Sequence, residues 1–240
     1  MPSIVSYPLT DAAPPYENIE HTCMSDYRAG MSLGTDSKSD LIVDASTRVF
    51  PRLGYHKATV EDIIQEANVA RSTFYVYFSS KREIFDNIMG GLMEGMLSTI
   101  EAGVDSIVET FGASDRPGDA ELMKALVDLL NQVFGFIEMN RGMTRIFLND
   151  LIGIDEDMTM LFHEFQDKLT GDFERLIRFG VDIGFLRRVD QRRAADFIVG
   201  GLIHVARDIS TGVIDSEVDE MSREIVDMQL NGLRPAGARA

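Results

Sequence analysis

Apolar residues recur at helical spacing along most of the chain. In the segments 38–53 and 60–67 they fall three or four positions apart, which places them on one face of a helix. Gly54 ends the first of these helices, and Pro51 in its last turn is expected to bend or shorten it. Beyond residue 90 the apolar period is also helical, and nothing there indicates a strand. The sequence therefore predicts an all-α protein.

Two short helices joined by a tight turn are predicted after the first helix. Thr59 precedes the first short helix and Asp62 follows three residues later, an arrangement close to a capping box. Asn68 stands where a left-handed backbone would turn the chain, and the segment 71–78 forms the second short helix. This spacing predicts a helix-turn-helix.

Longer helices are predicted for the remainder of the chain. Ser80 and Glu83 form a second capping box at the start of one of them. Apolar segments mark the others, over residues 122–137, 143–152, 158–176, 194–209 and 218–228. The first 37 residues contain four prolines and show no sustained period, so we predict a disordered tail there.

Length and composition are those of a globular protein. The chain has 240 residues, of which 45% are hydrophobic and 26% are charged, so wholesale disorder is excluded. A single cysteine excludes an internal disulfide and a cysteine-based zinc module. No apolar run approaches 18 residues and no signal-peptide pattern opens the chain, so we expect a cytoplasmic protein without membrane contact.

The charge is distributed unevenly along the chain. A net charge of −16 would repel nucleic acid if it were spread uniformly. Residues 38–89, however, carry seven basic and seven acidic side chains and are neutral. Within them, the stretches 45–60 and 67–82 each hold three cations and no acid. The predicted helix-turn-helix can therefore present a surface that does not repel phosphate.

Residues 59–81, TVEDIIQEANVARSTFYVYFSSK, followed by REIF, resemble the DNA-binding segment of TetR-family transcriptional regulators. The resemblance covers about 50 residues directly, and the poorly patterned helices beyond it also resemble that family's regulatory domain. It implies a helix-turn-helix domain over residues 38–89, a helical regulatory and dimerisation domain over 90–234, and a flexible tail over 235–240. Asn68 and Ala70 depart from the family pattern, where a turn glycine and a capping Ser or Thr are expected.

The resemblance implies a homodimer that binds double-stranded operator DNA, most often as a repressor. The second short helix lacks acids, as a helix that enters the major groove should. Arg71 can pair with a guanine edge, and Ser72 and Thr73 can bond bases or phosphate. The family pattern further implies phosphate contacts from Thr59, Tyr75, Tyr77 and Lys81. Phe74 and Phe78 are instead expected to pack in the core.

Two other sets of residues are candidates for assembly and for ligand binding. By the resemblance, the last two helices form a dimer interface, and a Gly200-Gly201 pair predicts close approach by another helix. The candidate interface residues are Ile198, Gly201, Leu202, Val205, Val218, Met221, Ile225 and Met228. A small, largely apolar effector is expected between the middle helices. Its candidate contacts are Phe134, Arg145, Phe147, Phe162, His163, Phe165 and His204.

The sequence offers no spacing typical of an active site, a metal site or a cofactor loop, so we predict neither an enzyme nor a cofactor. Two alternatives stay open. One is a regulator of the same fold that a protein partner controls in place of a ligand. The other is a helical enzyme or lipid carrier that carries the motif by chance, which binding to its own upstream DNA would exclude.

Overall fold

The computed structural model describes residues 38–112, 118–149, 154–214 and 217–233, and these are helical apart from their turns. The predicted tails, 1–37 and 235–240, lie outside the described residues. The helices, in chain order, are α1 (Lys38–Leu53), α2 (Val60–Ala67), α3 (Arg71–Tyr77), α4 (Lys81–Gly112), α5 (Asp119–Met139), α6 (Arg141–Asn149), α7 (Glu156–Asp182), α8 (Gln191–Thr211) and α9 (Val218–Leu233). The prediction of an all-α fold is confirmed.

The first three helices form a small unit around buried aromatic side chains. Helix α1 runs through Pro51 to Leu53, so the proline does not shorten it. Gly54 follows with a φ of +77°, a backbone conformation that glycine adopts without steric cost. The ring of Phe50 is fully buried and meets Phe85 of α4 edge-on at 5.2 Å between ring centroids. The core of this unit therefore includes the first turns of α4.

Helix α4 links the amino-terminal unit to the rest of the chain. Its 32 residues span about 48 Å at 1.5 Å per residue. It crosses residue 90, where the sequence predicted a domain boundary, without interruption. The sequence pattern also predicted only its beginning as one helix. Because α4 is one uninterrupted helix, a displacement of its distal half in the bundle can be transmitted to its first turns, which follow α3.

The remaining helices pack into a bundle on the distal half of α4. Helix α8 packs on α6 and α7, while α9 packs on α5. Buried apolar side chains form one continuous cluster from Ile42 in α1 to Leu230 in α9. None of the described helices combines the length and the apolar composition needed to cross a membrane.

Candidate nucleic-acid interface and ligand cavity

A capping box fixes the amino terminus of α2, as the sequence predicted. The Asp62 N–H donates to Thr59 Oγ1 at 3.2 Å, and the Thr59 N–H donates to the Asp62 carboxylate at 2.8 Å. The Thr59 hydroxyl also donates to that carboxylate at 2.6 Å, and these bonds lower the pKa of Asp62. Thr59 itself is exposed. It therefore lies at a helix amino terminus where a phosphate could also bind.

The turn between α2 and α3 uses the left-handed residue that the sequence predicted. Asn68 has φ 52° and ψ 46°, and its N–H donates to the carbonyl groups of Gln65 and Ile64. After this turn, the buried rings of Phe74 and Phe78 hold α3 against the core. The prediction that both phenylalanines are core residues is confirmed. The opposite side of α3 faces away from the protein.

The exposed side of α3 carries most of the predicted DNA contacts. Arg71, Ser72, Tyr75 and Tyr77 are exposed, and Thr73 is half-buried. Sequence reasoning missed Val76, which is 75% exposed. An apolar side chain so placed on α3 can contact a thymine methyl group. The sequence could have indicated this, because Val76 lies two positions from each of the core residues Phe74 and Phe78 and therefore points away from the face that they share. The roles of the individual residues at DNA stay predictions.

Arg71 has an acidic neighbour in the absence of DNA. Its Nη1 donates to Glu61 Oε2 at 2.8 Å, and both side chains are more than half exposed. Its guanidinium also lies 5.7 Å from the centre of the Tyr75 ring. An exposed pair of this kind contributes about 0–1 kcal/mol. A guanine edge can therefore replace Glu61 at modest cost.

Lys81 has a different surrounding from the one expected of a phosphate ligand. Its Nζ donates to the carbonyl oxygens of Tyr55 at 2.7 Å and Ala58 at 2.8 Å, with His56 at 3.5 Å. An ammonium has three donors, so all are engaged. Partial burial lowers the pKa of Lys81. Lys81 thus ties α4 to the loop between α1 and α2, and its contact with phosphate stays a prediction.

Lys57 lies in the same loop and is the better candidate for a phosphate contact. It is exposed, and within the described part of the chain it forms no hydrogen bond or ion pair. By contrast, the nearby cations Arg48 and Arg52 both pair with Glu66, at 2.9 and 3.2 Å. The sequence reasoning left Lys57 unassigned, because neither spacing nor composition shows which cations are paired.

Helix α3 begins without a side-chain cap. Ala70 occupies the cap position with an extended backbone, φ −72° and ψ 148°, and provides no acceptor. We expect Ala70→Ser to stabilise the protein by about 0.5–2 kcal/mol, because a serine hydroxyl can accept from an N–H of the first turn. This corresponds to a rise in melting temperature of about 2–4 °C per kcal/mol, measurable by circular dichroism. Ala70→Val, which adds volume without an acceptor, is the control. A serine variant no more stable than the valine variant contradicts the capping argument.

A largely apolar cavity lies inside the bundle. Its volume is about 50 Å³, and it lies between α4, α5, α6, α7 and α8. Its lining residues are Leu92, Met93, Met96, Ile100, Val133, Ile137, Thr144, Phe147, Leu148, Phe165, Leu169, Phe173, Leu202, Ile203 and Ala206. A second apolar cavity, of about 70 Å³, is lined by residues of α5, α7, α8 and α9 and of the loop between α7 and α8. No residue of α4 or α6 lines it. Only the first therefore adjoins the helices that contact the amino-terminal unit.

The predicted effector contacts divide into two groups. Phe147 and Phe165 line the first cavity, and their rings meet edge-on at 5.0 Å between centroids. Phe134 and Phe162 are buried but line neither cavity. The expected polar contacts are corrected as well. His163 is exposed, and exposed His204 lies 3.6 Å from the carboxylate of Asp208 on its own helix.

Arg145, the third expected polar contact, joins two parts of the fold. Its Nη2 donates to the carbonyl oxygen of Pro51 in α1. At Gly142, one turn earlier in α6, an added Cβ would lie 2.7 Å from Pro51 Cγ, so the two helices approach closely. A second connection joins Arg82 of α4 to Asp155, the residue that caps α7. Helix α6 thus contacts α1 on one side and the cavity on the other.

The last two helices divide the predicted interface residues between the core and the surface. Ile198, Leu202, Met221 and Ile225 are buried within one chain, which corrects the expectation that they face a partner. Val205 and Val218 are half-buried, Gly201 is exposed and Met228 is 67% exposed. The 3–4 spacing in α9 marks its inner face, against α5. Met228, the last residue of that spacing, is exposed, and a contact between subunits through it stays a prediction.

An exposed face of α8 was missed by the sequence reasoning. Phe197 is 82% exposed, which is unusual for so large an apolar side chain. One turn further along, Gly200 and Gly201 have nothing within 4 Å of the position of an added Cβ. Within the described residues, no helix of the same chain makes the close approach that the glycine pair predicts.

Comparison with known proteins bears on both halves of the fold. The family model described as bacterial regulatory proteins, tetR family, matches residues 42–88. The uncharacterized HTH-type transcriptional regulator YdgC of Bacillus subtilis (strain 168) is 24% identical over 210 residues. That alignment covers 86% of this chain and 97% of YdgC. The similarity therefore extends beyond the helix-turn-helix.

Solved structures share the architecture of the described chain. SmeT, the repressor of the Stenotrophomonas maltophilia multidrug efflux pump SmeDEF, aligns with a TM-score of 0.64 at 19% identity, over 85% of this chain and 94% of SmeT. FadR from Bacillus subtilis, in complex with stearoyl-CoA, aligns with a TM-score of 0.59 at 17% identity, over 80% of this chain and 97% of FadR. At these identities the likeness establishes the fold. Residues 42–88 thus match the tetR family of bacterial regulatory proteins in sequence, and the described residues share the fold of a solved tetR-family protein from Rhodococcus RHA1.

Proposed function

We propose that this protein is a homodimeric repressor that binds operator DNA through α3 and leaves it when a small, largely apolar effector occupies the α4–α8 cavity. The observation that carries the proposal is the position of α6. This one helix lines the cavity with Thr144, Phe147 and Leu148 and contacts Pro51 of α1 through Gly142 and Arg145. Residues 38–89 act as the DNA-binding domain and the later helices as the regulatory domain. Such a regulator acts in the cytoplasm, on chromosomal DNA.

The DNA-binding half of the proposal rests on exposure and charge. The exposed side of α3 offers a guanidinium, hydroxyl groups and two phenols, and no acidic side chain. Thr59 and Lys57 lie in the preceding segment, where they can contact phosphates. Two such surfaces in a two-fold dimer, one DNA turn or about 34–36 Å apart, would read a near-palindrome. The acidic remainder of the protein then faces away from the duplex.

The effector half rests on how the cavity is connected to α3. Helix α4 contributes Leu92, Met93 and Met96 to the cavity and is continuous with Lys81, four residues after α3 ends. An effector that requires a wider cavity than side-chain rearrangement can provide would displace a lining helix, and two of the lining helices, α4 and α6, contact the DNA-binding helices. Its differential affinity for the wider conformer then appears as lost DNA affinity. The apolar lining supports an effector of similar character, and stearoyl-CoA in the FadR structure is partly of that class.

Selection of genomic fragments by the purified protein tests this function. We expect enrichment of a few fragments that contain near-palindromic sequences, and loss of binding as salt is raised. Failure to enrich any fragment would contradict the proposal. Specific binding that no small apolar molecule weakens would instead favour control by a protein partner.

The contact between α6 and α1 gives a second prediction. We expect Arg145→Ala to bind the operator nearly as well as the unaltered protein but to respond less to octan-1-ol, an uncharged apolar probe. Removal of one contact on a coupling route reduces the coupling by about 0.5–2 kcal/mol, or roughly 2- to 30-fold in the ratio of DNA affinities without and with the probe. Fluorescence anisotropy of a labelled operator measures both affinities.

Arg178→Ala is the matched control, because Arg178 is an exposed arginine of the bundle that bonds Glu174 and Gln191 within it. Its response to octan-1-ol should equal that of the unaltered protein. An equal response from Arg145→Ala would show that the α6–α1 contact does not carry the signal.

A further inference from the structure

Thr144 carries a buried hydroxyl group that has no hydrogen-bond partner in the part of the chain that the structure describes. Its side chain lines the α4–α8 cavity and is only 3% exposed, and its Oγ1 forms no hydrogen bond with the described residues. An unsatisfied buried hydroxyl is unfavourable, so proteins rarely keep one without a water or ligand that bonds it. The cavity beside it offers the space for such a partner.

Several other helical hydroxyls in this protein bond to their own helix. Ser46 donates to the Ile42 carbonyl at 2.7 Å, Thr99 to the Gly95 carbonyl at 2.7 Å, and Thr159 to the Asp155 carbonyl at 2.9 Å. Thr144 lies in the middle of α6 and has a carbonyl at the same spacing, on Asn140, but only its N–H uses it. The hydroxyl of Thr144 is therefore available to a group in the cavity.

Two other buried polar atoms also have no partner among the described residues. They are Asn131 Oδ1 and Ser222 Oγ, and neither residue lines the α4–α8 cavity or the second cavity. Thr144 thus differs from them by adjoining a space that a ligand can fill.

The rest of the lining decides the charge of that ligand. All other lining residues are aliphatic, aromatic or methionine, and none is ionisable. A carboxylate or phosphate placed among them would lose its hydration without gaining a cation, which is strongly unfavourable. An uncharged oxygen needs only one hydrogen bond, which Thr144 can supply as donor or acceptor.

We propose that the α4–α8 cavity binds an uncharged, aliphatic ligand with a single oxygen, a hydroxyl or an ester-type carbonyl, that hydrogen-bonds to Thr144 Oγ1. This inference rests on the proposed effector site and names the chemical class that the site accepts. A free alcohol, an ester or the thioester of a larger molecule can supply this oxygen, since each presents an uncharged oxygen to Thr144. A free fatty acid is excluded by its charge. The side chains of Met93 and Met96 are flexible enough to widen the cavity for the aliphatic part of the ligand.

Displacement of the neutral dye N-phenyl-1-naphthylamine from the full-length protein tests this inference. The competitors are octan-1-ol, methyl octanoate, octanoyl-CoA, octanoate and octane, each below its solubility limit. We expect the alcohol and the ester to compete about 2- to 13-fold better than octane, the value of one net hydrogen bond. Octanoate should compete more weakly than octan-1-ol. Competition by octanoyl-CoA that depends on Thr144 would support the inference and identify a thioester as the source of the oxygen.

Thr144→Val removes the hydroxyl and keeps the shape of the side chain. We expect it to abolish the preference for octan-1-ol over octane while the affinity for octane stays unchanged. Its melting temperature without ligand should not fall, because an unsatisfied group has been removed; a merely structural threonine would give a fall. Thr99→Val, which removes a hydroxyl bonded within its own helix, should keep the preference.

Three results would overturn the inference. They are equal competition by octanoate and octan-1-ol, an unchanged alcohol preference in Thr144→Val, and no binding of the dye or any competitor. Operator binding by the same preparation, measured by anisotropy, tests the DNA-binding function separately. A preparation that binds DNA but none of these ligands contradicts only the ligand assignment.

Discussion

Arg71→Ala is expected to weaken binding to the operator by roughly 5- to 150-fold, which corresponds to the 1–3 kcal/mol of a good contact to a base edge. Binding to unrelated DNA should change much less. The reason is that Arg71 is exposed at the start of α3 and, among the residues that the structure describes, forms an ion pair with Glu61 alone. Because that exposed pair is weak, breaking it costs little, and the contact of the Arg71 guanidinium with DNA contributes nearly its full free energy to binding.

Anisotropy titrations with the operator and a scrambled duplex, at several salt concentrations, measure this effect. Lys57→Ala is the control, since Lys57 is an exposed cation in the loop before α2 and is expected to contact phosphate. It should weaken binding to both duplexes alike and reduce the salt slope by about one. An unchanged ratio of operator to scrambled affinity in Arg71→Ala would show that another residue reads the bases.

In the proposed homodimer, Phe197→Glu is expected to separate the two subunits. Phe197 is 82% exposed in the single chain and lies one turn from two glycines that let another backbone approach. Loss of a central aromatic contact costs about 2–4 kcal/mol, so the dimer dissociation constant should rise roughly 30- to 900-fold. In a two-fold interface the same substitution also places two carboxylates near each other. The folded subunit should remain intact, because the side chain is hardly buried within it.

Sedimentation velocity measures the dissociation, and circular dichroism checks that the subunit stays folded. Met160→Glu is the control, because Met160 is another exposed apolar residue and lies on α7. It should leave the dimer and operator affinity unchanged. A dimer of unchanged stability in Phe197→Glu would place the subunit contact elsewhere.

Local chemistry made the amino-terminal helices predictable. Thr59 and Asp62 can satisfy each other only at a helix start, and Asn68 is one of few residues that accept a left-handed backbone. These signals lie within a few residues of the structure they produce. The same is true of Ala70, whose lack of a hydroxyl reveals the missing cap from the sequence alone. The caps at Thr59 and Ala70 were therefore predictable from short-range contacts, whereas at the start of α4 the Glu83 carboxylate accepts from the Ser79 N–H and not, as the second predicted capping box required, from that of Ser80.

Contacts between distant parts of the chain were not predictable in the same way. Lys81 meets the Tyr55 carbonyl 26 residues away, and Arg145 meets Pro51 94 residues away, so no local pattern identifies either partner. The spacing of Met221 and Ile225 correctly indicated a helix face, but spacing does not say which neighbour covers that face. Thr144 was missed because a sequence does not reveal whether a hydroxyl finds a partner.

The continuous course of α4 has a consequence for the construction of hybrid regulators. A chimera that keeps this DNA reader and receives a foreign sensor must be joined inside a helix, because residues 81–112 contain no loop at which to cut. Each residue added at the junction rotates everything beyond it by about 100° and advances it by about 1.5 Å. Only junctions that preserve the helical phase would leave the two DNA-binding domains of a dimeric hybrid facing the same side of the double helix.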